Sequence, residues 1–173
     1  MNLPFSVRAL SGSDDRSQFR CGQPDLDDWF HRRAGQDERR NVARVFVAVD
    51  PAIGIVGFYT LSSFTISLPD LPTEIGRKLP RYGSIPTALI GRLARDERVR
   101  GTGVGEILLA DAVRRVLQVA ATIAIFAIVV EAKDENAADF YKSFGFVPFP
   151  DQPARLFMMT STVEQAREAA DKD

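Results

Sequence analysis

Cysteine and histidine are nearly absent from this chain of 173 residues, which has one of each, Cys21 and His31. A single cysteine excludes an intramolecular disulfide framework and a cysteine-based zinc site. A single histidine excludes a multi-histidine metal site, and a Ser-His-Asp triad would have to be built on His31. We therefore expect no bound metal. We also expect Cys21 to be a small buried residue and His31 to lie on the surface of a helix.

Long apolar runs are also missing. The longest, residues 119–130, is interrupted only by Thr122 and is too short to cross a bilayer. Residues 1–10 lack the charged segment followed by an apolar stretch that marks a signal peptide. We expect a cytoplasmic protein that does not bind a membrane.

A large net charge is missing too, since the chain carries −1 overall, with 45% hydrophobic and 26% charged residues. This composition is typical of a folded globular protein and excludes a uniformly basic nucleic-acid coat. The charge is uneven, because residues 77–100 hold seven basic and two acidic side chains. Arginine outnumbers lysine 18 to 4, and guanidinium groups suit phosphate recognition. The basic residues therefore form either a phosphate-binding surface or ordinary solvated faces. The candidates are Arg32, Arg33, Arg39, Arg40, Arg44, Arg77, Lys78, Arg81 and Arg92.

Hydrophobic periodicity and turn residues predict one α/β domain over residues 1–173. Its order is β-α-β-β-loop-β-α-β-α-β-β, with antiparallel strands first and one β-α-β crossover in the middle. Helices are predicted to begin near Pro24, Ile107 and Glu135, and a loop covers residues 69–84. The Glu- and Ala-rich residues 163–173 predict a frayed helix or a flexible tail. The predicted strands are residues 5–10, 42–49, 55–68, 88–93, 122–130, 146–149 and 156–161.

A glycine-rich turn lies between a predicted strand and a predicted helix, at residues 98–105. Its alternate glycines let the backbone approach a ligand and point N–H groups toward it, and the following helix adds its positive end. This pattern fits either a pyrophosphate cradle or a tight turn with close helix packing. It is not a Walker A loop, because no Gly-Lys-Ser/Thr follows, and it lacks the context of the dinucleotide fingerprint.

Two motifs resemble those of the GNAT superfamily of N-acetyltransferases. Arg98-x-x-Gly101-x-Gly103 matches the R/Q-x-x-G-x-G/A motif. Residues 136–146 match the N-x-x-A-x-x-F-Y-x-x-x-G-F signature with its first alanine displaced. The resemblance covers roughly residues 42–160 and implies a mixed, mostly antiparallel sheet flanked by helices. It also implies that acetyl-CoA is the acetyl donor. The cofactor-binding residues it implies are Leu93, Ala94, Arg98, Val99, Arg100, Gly101, Thr102, Gly103, Val104, Gly105, Asn136 and Phe140.

The same resemblance implies roles in the chemistry. Tyr141 would point at the CoA sulfur as general acid, although it could instead be a core aromatic. The backbone around Leu93 and Ala94 would supply the N–H that stabilises the oxyanion. Asn136 would either hydrogen-bond the cofactor or cap its helix. Trp29 is more typical of a core or helix-packing residue than of a stacking platform.

The strand at residues 89–94 holds no carboxylate that could act as a general base. A lysine, with a pKa of about 10.4, needs such a base, whereas an α-amine at about 7.7–8.0 needs it far less. The absence favours an α-amine substrate that attacks the thioester directly, although a water chain or a carboxylate elsewhere in the chain could serve as the base.

Shorter segments resemble the GNAT toxins of toxin–antitoxin modules, which acetylate the α-amino group of aminoacyl-tRNA and block translation. These segments are residues 19–22, 26–29, 91–94 and 131–134. The resemblance implies aminoacyl-tRNA as substrate, a ribbon-helix-helix antitoxin, a homodimer, and contact with promoter DNA only through the antitoxin. Arg92 would contact a substrate phosphate or form a salt bridge. Two alternatives stay open: a GNAT enzyme acting on a small amine or a protein N-terminus, and a non-catalytic CoA-binding or corepressor module.

Overall fold

The computed structural model describes residues 6–81 and 83–172, within which seven strands and six α-helices lie. The strands are β1 (Ser6–Ala9), β2 (Arg44–Asp50), β3 (Gly54–Ile66), β4 (Ile85–Arg95), β5 (Ala127–Glu131), β6 (Val147–Phe149) and β7 (Gln152–Met159). The helices are α1 (Pro24–Arg32), α2 (Ala34–Arg39), α3 (Thr73–Gly76), α4 (Val104–Ala120), α5 (Glu135–Ser143) and α6 (Thr160–Ala170). Short 3-10 turns cover Leu68–Asp70 and Glu97–Val99.

The strands are ordered β1-β2-β3-β4-β5-β7-β6 in the sheet. β4 and β5 run parallel, with Thr87 opposite Ala127 and Ile90 opposite Val130, and α4 is the crossover between them. The pairs β1–β2, β2–β3, β5–β7 and β6–β7 are antiparallel. The prediction of an α/β fold with a mixed, mostly antiparallel sheet and helices is therefore confirmed.

The chain divides into two compact units. Unit 1 comprises Met1–Ser62 and Gly91–Arg114, and its core is an aromatic cluster that includes Phe19, Trp29, Phe30 and Phe58. The Phe30 and Phe58 rings stack with their centroids 4.2 Å apart, and Phe19 meets the Phe58 ring edge-on at 5.4 Å. The assignment of Trp29 to the core is confirmed, because only 6% of it is exposed.

Unit 2 comprises Ser63–Ile90 and Arg115–Asp173. Its core combines aliphatic residues of β4 and β5 with the aromatic pair Phe149 and Phe157, whose ring centroids are 4.9 Å apart. Thr160 fixes the start of α6, because its hydroxyl donates to the Ile125 carbonyl at 2.7 Å. The prediction of one domain over residues 1–173 stays a prediction.

Several boundaries differ from the sequence prediction. β5 begins at Ala127 rather than at residue 122, because residues 121–124 form an exposed turn whose Ile123 is 65% exposed. β7 begins at Gln152 rather than at residue 156, because its first three residues are exposed and form no apolar run, although Gln152 already pairs with Phe149 of the edge strand β6. The C-terminal helix begins at Thr160, where a strand was predicted, and α2 was not separated from α1. No helix among residues 6–81 and 83–172 is long and apolar enough to span a membrane.

Candidate active site

The glycine-rich turn is anchored by a buried carboxylate that directly follows β4. Asp96 is 1% exposed, and its Oδ1 accepts hydrogen bonds from the Arg98 backbone N–H and from Arg98 Nε, both at 2.8 Å. Its Oδ2 accepts from Arg98 Nη2 at 2.9 Å and from the Arg20 backbone N–H at 3.0 Å. The Glu97 N–H donates to the Arg20 carbonyl at 2.8 Å, so the segment around Arg20 is tied to the start of the turn.

These donors determine the protonation state of Asp96. Burial of the carboxyl alone would raise the pKa of Asp96, but the hydrogen bonds from Arg98 and from the Arg20 N–H outweigh it and hold the pKa below its ordinary value. The charged pair also raises the pKa of Arg98, through the hydrogen bond to Asp96. Nε and Nη2 of Arg98 are therefore engaged inside the protein, and the predicted contact of this side chain with the cofactor stays a prediction.

The glycines of the turn adopt backbone angles that other residues rarely take. Gly101 has φ 78° and Gly103 has φ 86°, and a Cβ at Gly101 would meet no atom within 4 Å. α4 starts at Val104, and the Ile107 N–H donates to the Gly103 carbonyl at 3.2 Å. The N–H groups ahead of that bond have no partner inside the helix, because the first turn of any α-helix leaves them unpaired. This turn therefore fits an anionic group such as a pyrophosphate.

A glycine on β3 lets α4 approach the sheet within unit 1. A Cβ at Gly57 would lie 2.8 Å from Leu108 Cδ1, 3.1 Å from Val104 Cγ1 and 3.2 Å from the Ala94 carbonyl oxygen. Any larger residue would push α4 away, and the turn begins that helix. Sequence reasoning missed Gly57 and Asp96. A glycine inside a predicted strand and an acidic residue directly after one were the available signals.

The end of β4 carries Leu93 and Ala94, which were predicted to lie beside the acetyl group. Ala94 is 7% exposed and belongs to the core cluster of unit 1, whereas Leu93 is half-buried. Just before them, the Arg92 backbone N–H donates to the Thr60 hydroxyl at 3.1 Å.

Arg92 is held by an aromatic ring. Its guanidinium carbon lies 4.0 Å from the centroid of the Trp29 ring, which is within the range of a cation–π interaction. Trp29 Nε1 donates to Asp37 Oδ2 at 2.9 Å. Burial lowers the pKa of the Arg92 guanidinium, and the Asp37 carboxylate partly offsets that effect.

Tyr141 lies in α5, in unit 2. It is 6% exposed, and its ring meets those of Phe140 and Phe146 edge-on, with centroids 5.4 and 5.7 Å away. Burial raises the pKa of Tyr141 to about 12, so the phenol keeps its proton at neutral pH. A protonated phenol can donate a hydrogen bond or a proton to a developing thiolate.

The two remaining cofactor candidates of unit 2 also lie on α5. Asn136 is exposed, and Phe140 is half-buried. The helix is capped by Asp134, whose Oδ1 accepts from the Ala137 N–H at 2.8 Å. The suggestion that Asn136 caps this helix is therefore wrong, and its contact with the cofactor stays a prediction.

The basic candidates occupy both units. In unit 1, the exposed Arg32, Arg33, Arg39 and Arg40 lie along α1 and α2, where Arg32 pairs with Asp28 at 3.1 Å. Arg44 pairs with Glu38 at 3.0 Å. In unit 2, Arg77 and Arg81 line a groove of about 580 Å³ with Leu68, Leu71 and Leu79, and Lys78 is exposed nearby in the chain. Their part in binding RNA stays a prediction.

Histidine and cysteine have ordinary structural surroundings. His31 is half-buried on α1, with its Nε2 2.8 Å from the Phe19 carbonyl oxygen and 3.0 Å from Arg20 Nη1. Cys21 is half-buried rather than fully buried, and its backbone N–H donates to Asp27. In the part of the chain that the structure describes, no cluster of three metal-ligating side chains occurs.

Comparisons with known proteins find related chains that cover most of this one. The model of the acetyltransferase (GNAT) family matches residues 10–146. A protein of Sinorhizobium fredii named "Probable toxin TacT" is 34% identical over 157 residues, which cover 86% of this chain and 87% of that protein. A protein of Mycobacterium tuberculosis named "tRNA-acetylating toxin" is 36% identical over 152 residues, which cover 88% of this chain and 90% of that protein.

Two solved structures of related proteins have the same fold as this chain. A tyrosine-to-phenylalanine mutant of KacT superposes with a TM-score of 0.89 at 28% identity, covering 95% of this chain and 99% of that chain. AtaT complexed with acetyl-methionyl-tRNAfMet superposes with a TM-score of 0.87 at 28% identity, covering 94% of this chain and 98% of that chain. The chain therefore belongs to the acetyltransferase (GNAT) family and is an N-acetyltransferase whose acetyl donor is acetyl-CoA.

Proposed function

We propose that this acetyltransferase is a toxin that acetylates the α-amino group of aminoacyl-tRNA and thereby blocks translation. The observation that carries the proposal is the similarity over most of the chain to two proteins named as toxins, one of them a tRNA-acetylating toxin. The structural similarity to AtaT, solved in a complex with acetyl-methionyl-tRNAfMet, supports the same substrate.

Acetyl-CoA supplies an acetyl group that is activated as a thioester. The backbone N–H groups at the start of α4 bind its pyrophosphate, and the glycines at 101 and 103 allow that close approach. The oxyanion that develops on the acetyl oxygen is stabilised by a backbone N–H around Leu93 and Ala94. The binding energy serves mainly to hold amine and thioester together in a reactive orientation.

The acceptor amine attacks in its neutral form. An α-amine has a pKa of about 7.7–8.0, so a substantial fraction is unprotonated near neutral pH without a strong base. The amine nitrogen forms a bond to the acetyl carbon, the carbon–sulfur bond breaks, and the amine loses one proton to water. Tyr141 donates its phenolic proton to the leaving thiolate and regains one from solvent.

In this proposal the tRNA phosphates are bound by the basic candidates named in the sequence analysis, some of which lie in unit 1 and others in unit 2. We further propose a homodimer in the cytoplasm, neutralised by a ribbon-helix-helix antitoxin through which alone it contacts promoter DNA. Support comes from AtaT, which has been solved bound to the C-terminus of the antitoxin AtaR, and from the AtaT–AtaR complex bound to DNA.

The test is transfer of labelled acetyl from acetyl-CoA to a pool of charged tRNA, beside uncharged tRNA, free amino acids and polyamines. We expect label on charged tRNA alone, and a fall of about 100-fold or more in kcat for Tyr141→Phe, the usual size of a lost general acid. Acetyl-CoA affinity should stay unchanged, because the phenol acts on the leaving group.

Other outcomes would replace the proposal. Label on free amino acids, polyamines or a protein N-terminus would make the chain a GNAT enzyme of small amines or proteins. Binding of acetyl-CoA without any transfer would favour a CoA-binding or corepressor module. Full activity of Tyr141→Phe would remove the general acid but leave the substrate assignment intact.

A further inference from the structure

Arg92 differs from the ion-paired arginines of unit 1, because its guanidinium contacts an aromatic ring instead of a carboxylate. The guanidiniums of Arg8, Arg44 and Arg98 donate to the carboxylates of Asp14, Glu38 and Asp96 at 2.7 to 3.0 Å. The Arg92 guanidinium donates no hydrogen bond to any of residues 6–81 and 83–172, and it lies with its carbon 4.0 Å from the centre of the Trp29 ring. The guanidinium is therefore held against the ring while its N–H donors have no partner among those residues.

The Trp29 ring that carries Arg92 is itself fixed. It is 6% exposed, it stacks on Phe58 with ring centroids 5.8 Å apart, and its N–H donates to Asp37 at 2.9 Å. A guanidinium that lies against such a ring has lost most of its freedom before any ligand arrives. Little rotamer entropy then remains to be lost when its edge binds an anion.

The half-buried position of Arg92 also has a cost that a ligand would remove. Burial lowers the pKa of the guanidinium, and the nearby Asp37 carboxylate only partly offsets that effect. An arginine stays charged at neutral pH in any case, and it has five N–H donors in a planar fork. Such a fork matches two oxygens of one phosphate or one carboxylate.

The place of Arg92 in the chain narrows the choice of anion. It directly precedes Leu93 and Ala94, beside which the acceptor amine has to reach the acetyl group. In an aminoacyl ester the carboxyl of the amino acid is consumed by the ester bond. The negative charges nearest to the amine are then the phosphates of the single-stranded 3′ end of the RNA. A free amino acid would instead present its carboxylate.

We infer that Arg92, held against the Trp29 ring, binds a backbone phosphate at the 3′ end of the tRNA substrate. This inference rests on the proposed function and names the contact that places the charged end in the site. Arg92 makes that contact, and Trp29 and Asp37 are positioning residues. General attraction to the RNA then comes from the other basic candidates, which do not include Arg167: Arg32, Arg33, Arg39, Arg40, Arg44, Arg77, Lys78 and Arg81.

The experiment compares Arg92→Gln and Arg92→Lys with Arg167→Gln, a control that removes one exposed arginine from α6. For Arg92→Gln we expect the KM for charged tRNA to rise about tenfold, since a hydrogen bond between charged groups is lost. The kcat at saturating tRNA and the KM for acetyl-CoA should stay unchanged. Arg92→Lys keeps the charge but loses the planar fork, and it should lose about threefold in affinity.

Two further readouts separate a contact from a structural role. The slope of log affinity for tRNA against log salt should become shallower by about one in Arg92→Gln and stay the same in Arg167→Gln within its error. Trp29→Phe, which keeps an aromatic ring but loses the N–H, should raise the KM for charged tRNA about threefold while Arg92 is present. In an Arg92→Gln background the same change should have no further effect on that KM.

The outcomes distinguish this inference from the proposed function. Unchanged tRNA affinity in Arg92→Gln, with charged tRNA still acetylated by the wild type, overturns the inference and leaves the function standing. A raised KM for acetyl-CoA instead assigns the phosphate to the cofactor, and a raised KM for a free amino acid assigns a carboxylate; both overturn it. If the wild type binds tRNA through Arg92 but acetylates only other amines, the function fails and the phosphate contact stands.

Discussion

The two units treat buried ionisable groups in different ways. Unit 1 buries the charged Asp96 and surrounds it with four donors, and it also buries Asp27, which accepts from the Cys21 N–H at 2.9 Å. Unit 2 buries Tyr141 and surrounds it with the edges of Phe140 and Phe146. A buried charge has to be paired, whereas a buried phenol can stay neutral without a strong partner.

The contrast matches what each unit contributes to the function proposed above. In unit 1 the buried charge holds the backbone of the glycine-rich turn through the hydrogen bonds that Asp96 accepts, so its contribution is geometric. In unit 2 burial keeps the Tyr141 phenol protonated, so its contribution to the proposed reaction is chemical. The same physical quantity, desolvation, raises the pKa of both acids, and only Asp96 has the hydrogen bonds to reverse it.

Asp96→Ala should produce the largest effect, because it removes a buried carboxylate that accepts four hydrogen bonds. We expect a loss of about 3 kcal/mol in the free energy of unfolding, since the backbone N–H groups of Arg20 and Arg98 are left without their acceptor. Acetyl-CoA affinity should fall with it. Urea denaturation and calorimetric titration measure the two effects.

Asp139→Ala, which changes an exposed carboxylate on α5, is the matched control for that experiment. It should change the stability by less than about 0.5 kcal/mol. Equal effects of the two variants would remove the distinction drawn between the units, because Asp96 would then behave as a surface residue.

The second-largest effect should be a loss of folding stability at high pH, caused by ionisation of Tyr141. The pKa is raised from an ordinary value of about 10 to about 12 by burial. As the pH rises, the unfolded chain then loses the Tyr141 proton before the folded chain does. The stability that the protonated phenol contributes is therefore fully present below pH 10 and is lost as the pH rises toward 12. The loss amounts to about 2 to 3 kcal/mol, and Tyr141→Phe should abolish it.

Equilibrium denaturation of the wild type and of Tyr141→Phe from pH 8 to pH 12 measures this difference. The two stability curves should converge or cross as the pH rises, because only the wild type loses the contribution of a protonated phenol. Curves that stay parallel over the whole range would mean that the phenol is not held neutral by its surroundings.

Thr160→Val should produce the smallest effect, and it tests a buried hydrogen bond of unit 2 that involves no ionisable group. The hydroxyl donates to the Ile125 carbonyl at 2.7 Å and is buried, so its removal leaves a carbonyl without that donor. We expect a loss of about 1 to 2 kcal/mol with no change in kcat, measured by denaturation and by the acetyl-transfer assay. Thr73→Val, at an exposed position of α3, should change neither value measurably.

The sequence predicted the fold well where a local signal and a tertiary contact agreed. α1 starts at Pro24 as expected, because proline suits the first position of a helix. The starts of β5 and β7 were misplaced, because the apolar run before β5 continues through an exposed turn and the first three residues of β7 are exposed. A hydrophobic pattern locates a strand only where apolar residues and burial coincide, and they do not coincide in these two segments.

The sequence predicted the motif residues of the candidate site but missed the residues that hold those motifs in place. Residues 98–105 and Tyr141 carry family signatures, so a single sequence was sufficient to predict a role for them, and that role stays a prediction. Asp96, Gly57 and Asp37 carry none, and their importance follows from partners 76, 51 and 8 residues away in the sequence. The first two contacts join segments far apart in the sequence and the third joins α1 to α2, so none of them leaves a local pattern.

The bond between Arg20 and Asp96 also constrains the order of events during synthesis. Its two ends are 76 residues apart, so Arg20 leaves the ribosome about 4 to 15 s before its partner at ordinary elongation rates. The glycine-rich turn lacks this anchor during that interval. In the function proposed above, a growing chain therefore cannot yet acetylate the charged tRNA on which its own ribosome depends.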